Sequence, residues 1–470
     1  MYVPLTFPTY LAGVFTVAYI TSTTTLYRTG CLLIQNNNPL QHTPRLPRHT
    51  MASPPPPPPQ QQQHPNPPCP NSQNSRGWRH IILNFTPSWF AITMGTGITS
   101  ILLHNLPYNA PWLHYLSIAI FCLNVVLFLT FLTISVLRYV MFPGLFAAML
   151  RHPVQSLFLG MFPMGLATIV NMLVFVCVPF FGGRVVMFVW GLWWVDVVLA
   201  LGTALVLPFM VMGVHRGNEL ANMTAVWLLP VVAPIVAAAS GGVVADVLPD
   251  PRYAVWTVIT SYILFGMGFP LAMMVLTMYF QRLTMHHLPK KEVIVSVFLP
   301  LGPLGQGSFV LMQLGKVARK VFPLTHAFAS LSGQSGVDVG GIFCVVGHLA
   351  GLIIWGFGLV WLFFALASIS RSRFPFNMGW WGFTFPLGVF AVSTCTIAQD
   401  LPSEFLKVVG TGLSVAVVML WLGIGVEMAR RVVGGEIFFA PCVQGWEIQR
   451  KVKQAEEERK QSGGERGLVE

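Results

Sequence analysis

The sequence predicts an all-α integral membrane protein with ten transmembrane helices, and three observations carry that expectation. Of 470 residues only 9% are charged and 54% are apolar, with a mean hydropathy of +0.65; a soluble domain carries about 25% charged residues. Such a chain cannot cover itself with polar side chains, so lipid must do the covering. Ten apolar runs are each long enough to cross about 30 Å of hydrocarbon as a helix. Proline and glycine also return at matching places in every second run.

In chain order, residues 1–80 read as a disordered cytoplasmic arm. A proline run at 54–59 is followed by glutamines at 60–63 and a Pro/Asn/Ser/Gln mixture, a composition that cannot build a packed core. The transport domain is expected over 81–430 and a polar cytoplasmic tail over 431–470. The ten runs are 85–103, 113–139, 156–178, 185–211, 225–245, 255–280, 293–314, 341–368, 380–398 and 405–429. Helices satisfy their own backbone in lipid, and these runs are too long for barrel strands. Orientation follows from the basic residues. Twelve flank the inner ends if the N-terminus is inside: Arg76, Arg79, Arg138, Arg151, Arg216, Arg282, Lys290, Lys291, Arg371, Arg373, Arg430 and Arg431. Six flank the outer ends: Arg184, Arg252, Lys316, Arg319, Lys320 and Lys407. Both termini are therefore expected in the cytoplasm, with the basic run at 316–320 as the exception to the bias.

The odd-numbered runs form an internal repeat. They carry Pro87 ahead of Gly95 and Gly97, Pro163 with Gly165, Pro230 and Pro234 ahead of Gly241, Pro300 with Gly302, and Pro386 with Gly388. The spacing is about one helical hairpin each time, so five related hairpins are the simplest account. Proline inside a helix frees a carbonyl and bends the axis. In lipid that backbone is tolerated only where it faces protein or a water-filled cavity. The expected layout is an inner ring of five kinked helices around a pore, inside five smoother helices. Candidate lining residues are Thr93, Thr96, Gly97 and Ser100 on the first run, Phe162 and Pro163 on the third, and Ser240 on the fifth. The seventh contributes Gly302 and Gln306, and the ninth Pro386 and Gly388. The competing reading is that small residues permit close helix packing.

The inner runs carry no charged side chain at depth, so no carboxylate array supports a cation pathway. An anion is served instead by hydroxyls, helix dipoles and freed backbone groups. Two ionisable residues lie within outer runs, Asp196 mid-span in the fourth and His348 in the eighth. Asp196 is a candidate for proton coupling, set against a neutral structural role. The basic residues sit in short loops, which argues for membrane orientation and against nucleic acid. Seven scattered cysteines include no C-x-x-C pair, so no metal site is expected. There is no phosphate-binding G-x-x-x-x-G-K-[ST] loop, no cofactor motif, and no constellation that suggests an enzyme.

The stretch NFTPSWFAITMGTGITS at 84–100 resembles the first helix of the tellurite-resistance/dicarboxylate transporter family. That family includes plant slow anion channels, fungal malate permeases and fungal sulfite efflux pumps. The continuation LHNLPYNAPWL at 103–113 is most similar to the sulfite pumps, and WWGFTFP at 380–386 resembles the family's ninth helix. The resemblance covers about 80–430. It implies a homotrimer in which each subunit holds its own pore, five inner helices within five outer ones. It also implies a phenylalanine on the ninth helix that blocks the pore, matching Phe385. The chain is then expected to export a small inorganic anion, sulfite, from the plasma membrane. A C4-dicarboxylate such as malate is the alternative cargo, but two carboxylates ask for Arg or Lys at both ends. No such residue lies clearly within an inner run, and Lys316, Arg319 and Lys320 are expected to follow the seventh and serve only its mouth. The second alternative is a proton-coupled anion carrier using Asp196.

Overall fold

The computed structural model describes residues 77–214, 220–328, 338–371, 374–434 and 437–448, with 450, 451 and 454. Expectations placed on residues 1–76 (Arg76 included), on Arg216 and Arg373, and on the tail beyond 454 lie outside the described residues. All regular structure among the described residues is helical.

Nine described helices are long and apolar enough to cross a membrane, which makes this a multi-pass membrane protein. They are α2 (Pro111–Met141), α3 (Met161–Met172, running on through a π turn at Leu173–Cys177 to Phe181), α4 (Gly183–Gly213) and α5 (Leu228–Val247). After these come α6 (Pro251–His286), α7 (Leu301–Thr325), α8 (Val339–Ser370), α9 (Thr384–Asp400) and α10 (Glu404–Gly434). The first expected span is shorter. It forms a 3-10 turn at Pro87–Trp89 and then α1 (Phe90–His104), 15 residues long. At 1.5 Å per residue α1 is only about 22 Å. Every residue from Phe90 to Leu103 is buried, so protein rather than lipid surrounds it.

Burial separates the helices into two classes. In the most apolar stretch, α5 is 100% buried, α7 and α9 are 89% buried and α3 is 50% buried. The even-numbered helices are only 22–28% buried. The buried helices close on themselves: α1 packs on α3, α3 on α5, α5 on α7, α7 on α9, and α9 returns to α1. The exposed helices brace this ring from outside. Helix α2 lies on α1, α4 on α3 and α5, α6 on α5 and α7, α8 on α7, and α10 on α9 and α1.

The repeated prolines do something more specific than bending helices. Each ring helix is preceded by a 3-10 segment: Pro87–Trp89, Ser156–Gly160, Ala225–Trp227, Lys291–Phe298 and Met378–Phe383. Proline then occupies the third α-helical position at Pro163, Pro230, Pro303 and Pro386. First-turn N–H groups have no partner within their own helix, so proline there removes nothing. The expected mid-helix kink is thus a 3-10-to-α junction. In the seventh run Pro303, rather than Pro300, takes the repeated place, because Pro300 caps the helix.

Candidate functional site

The five junctions border one small cavity inside the ring. It measures about 30 Å³ and is lined by Ala91, Met94, Met161, Met164, Leu228, Val232, Leu299, Gly302, Trp381 and Pro386 among others. That volume is about one water's share of the liquid. Toward the helix C-termini the passage widens to about 390 Å³. This vestibule is lined by Ile98, Ile101 and Leu102 of α1, Thr168 and Asn171 of α3, and Val236 and Val243 of α5. Gln306, Phe309 and Gln313 of α7 and Val389, Val392, Thr396 and Gln399 of α9 also line it, with His104, Asn105 and Asp246 among others. Phe385 is the one described residue that lines both cavities. It is 4% exposed, and its place is set by the α9 junction, one residue before Pro386.

The vestibule rim is charged, and here the sequence expectation needs correction. Lys316, Arg319 and Lys320 do not follow the seventh helix but form its last turns, and Lys316 lines the vestibule. Helix α7 continues because Val317, Ala318, Val321 and Phe322 of these turns are buried, while carboxylates receive its lysines at the surface. Lys316 Nζ lies 2.9 Å from Asp400 Oδ2, and Lys320 Nζ 2.9 Å from Asp246 Oδ1. His348 Nε2 approaches the same Asp400 oxygen at 3.0 Å, so this outer-helix histidine belongs to the rim. Nearby, Tyr108 donates to Glu404 Oε2 at 2.8 Å, and that hydrogen bond raises the Tyr108 pKa above its ordinary value.

The proposed lining residues divide sharply. Gly302 and Pro386 line the throat and Gln306 the vestibule. The α1 face lines neither cavity. Ser100 and Ser117 exchange hydrogen bonds with each other's backbone carbonyl at 2.8 and 2.9 Å. Thr93 donates to Phe90 O and Thr96 to Ile92 O, while Thr96 also accepts from Trp421 Nε1. A side chain at Gly97 would collide with Thr168 and Asn124, and one at Gly388 would meet Ile98 at 2.6 Å. Phe162 packs edge-on to Phe90 and stacks on Phe128, Ser240 donates to Ala167 O, and Pro163 is buried outside both cavities. These residues serve helix contacts, where small size and locally satisfied hydroxyls allow close approach. Sequence reasoning missed the aliphatic residues of α1 and the amides Asn171, Gln313 and Gln399. An amide inside an apolar helix was the available signal, since it needs water or a partner.

Asp196 is 1% exposed, both its carboxyl oxygens lack partners, and it lines neither cavity.

A closed ring of buried helices around a vestibule that carries polar side chains is the geometry of a conduit, and comparison with known proteins agrees. The voltage-dependent anion channel family (SLAC1) matches residues 84–429. The chain belongs to that family. Sulfite efflux pump SSU1 of Arthroderma otae is 51% identical over 341 residues, spanning 73% of this chain and 89% of that protein. The SSU1 pump of Candida albicans is 28% identical over 366 residues, 73% of each chain. The malic acid transport protein of Schizosaccharomyces pombe is 22% identical over 340 residues, 72% of this chain and 76% of its own. Family membership fits the ring, whose matched segment begins just before the first 3-10 turn and ends within α10.

Proposed function

We propose that this protein exports sulfite across the plasma membrane through a channel-like pore within each subunit, closed at Phe385. The observation that carries the reading is Phe385 between an apolar throat and a wide polar vestibule, in a ring that one chain completes. The choice of sulfite over malate rests on 51% identity to a sulfite efflux pump against 22% to a malic acid transporter. It also rests on the throat, which offers no Arg or Lys to a second carboxylate. An inside-negative potential favours anion exit by about 2.3 kcal/mol per charge per 100 mV. The anion passes chemically unchanged, so no catalytic step is involved.

In this reading α1 makes a tenth crossing, both termini face the cytoplasm and the vestibule opens outward. The twelve-to-six distribution of basic residues supports that orientation. Three of the six outer cations, Lys316, Lys320 and Lys407, are paired with carboxylates, and the run at 316–320 stays the exception to the bias. The homotrimer implied by the resemblance belongs to the same proposal, with one pore in each subunit. The test is expression in a sulfite-sensitive fungal strain lacking its own exporter. Growth on sulfite and a lower internal sulfite level are expected, with malate uptake unchanged. Malate flux without sulfite tolerance would replace sulfite with the dicarboxylate.

A further inference from the structure

Among the described residues lining the throat, Trp381 alone carries a side-chain hydrogen-bond donor. It is 3% exposed, and its indole Nε1 is buried without a partner. An unpaired buried donor costs stability, and other tryptophans of this chain avoid it. Trp190 donates to Thr257, Trp193 to Ala237 O, Trp355 to Thr394 and Trp421 to Thr96. Trp361 Nε1 is also unpaired, but it stacks on Tyr279 and lines neither cavity.

The Trp381 ring is held firmly. A side chain at Gly95 would lie 2.8 Å from its Cε3 atom, so the ring seats directly on the α1 backbone. Thr384 donates to Trp381 O at 2.8 Å and fixes the junction. Trp381 also borders an apolar groove beside α2 and α10, whose one hydroxyl, that of Thr96, already accepts from Trp421. Thr96 Oγ1, the one side-chain oxygen among the groove's described residues, receives no hydrogen bond from Trp381. The throat has no cation either, so an anion there meets mainly apolar walls. The charging cost in a low-dielectric medium grows with the square of the charge, making a dianion about four times as costly as a monoanion.

We propose that Trp381 Nε1–H is a specificity-determining donor, receiving a singly charged oxyanion that is a strong hydrogen-bond acceptor as it crosses the throat. For sulfite this is hydrogensulfite, so the inference rests on the transport reading above and names the ionic form it moves. The indole gives up no protein acceptor when the anion arrives, and the passing anion provides the missing one.

The experiment measures hydrogensulfite and perchlorate flux into vesicles containing the full-length protein. Perchlorate is singly charged but a poor acceptor. Trp381→Phe is expected to lower the hydrogensulfite-to-perchlorate ratio about tenfold, the size of one charge-assisted hydrogen bond. Replacing Trp381 with 3-benzothienylalanine, which keeps the bicyclic shape but exchanges N–H for sulfur, is expected to do the same and decides the matter if the Phe variant does not fold. Sulfate, a dianion, is expected to be excluded throughout. An unchanged ratio with the analogue, or equal loss of both fluxes, overturns the role of Trp381. Sulfate flux through the wild type overturns the single-charge requirement. Failure of the wild type to move hydrogensulfite refutes the transport reading itself.

Discussion

Phe385→Ala tests the closed passage most directly. The throat beside Phe385 measures about 30 Å³ against about 390 Å³ in the vestibule. A space of one water's volume cannot pass an oxyanion with any of its hydration shell. Removing the ring joins the two cavities and lets water accompany the anion. We expect anion flux in reconstituted vesicles to rise at least about tenfold, a barrier lower by about 1.4 kcal/mol, with weaker discrimination among anions. Truncating a packed phenylalanine costs about 3–5 kcal/mol. Phe385 borders empty space on both sides, so fewer contacts are lost and about 1–3 kcal/mol is expected. The assay is potential-driven anion flux, with Tm and monodispersity measured on the same preparation. A folded variant whose flux stays at the wild-type level would refute the gate.

Gly305→Ala puts a methyl group 2.6 Å from the backbone nitrogen of Phe390, which cannot turn aside as a side chain can; a loss of about 1–3 kcal/mol, read as a lower Tm, is expected. Gly412→Ala, with nothing within 4 Å on the lipid-facing helix α10, is the control and should leave Tm unchanged or slightly raised, because alanine favours a helix over glycine. Asp196→Asn should keep sulfite flux within about twofold of wild type, since Asp196 lines neither cavity; loss of pH-driven flux in a folded variant would establish a proton-coupled carrier instead. Lys316→Gln removes the vestibule's cation from a pair whose lysine side chain is 34% exposed. It should change stability by less than about 1 kcal/mol, and lower flux several-fold at low ionic strength, an effect that fades as the Debye length falls to about 8 Å near 0.15 M salt.

The sequence by itself determined the membrane class, the positions of the hydrophobic runs and the distinction between odd and even helices. Those properties are one-dimensional. Span length follows from hydrophobic run length, and the repeated proline marks the start of a ring helix wherever it occurs. Phe385 was reached through the resemblance at 380–386 rather than from periodicity. What only the tertiary structure decided is which face of each ring helix meets the passage. A ring helix is buried on every side, so hydropathy cannot separate the face that touches another helix from the face that touches a cavity. Thr93, Gly97, Ser100 and Gly388 are small or locally satisfied because neighbouring helices press against them. Ile98, Leu102 and Met94 border the cavities, where bulk is not penalised. The end of α7 was hidden for a related reason. Lys316 and Lys320 read as a loop until Asp400 and Asp246, 84 and 74 residues away in the chain, are brought beside them by packing against α9 and α5.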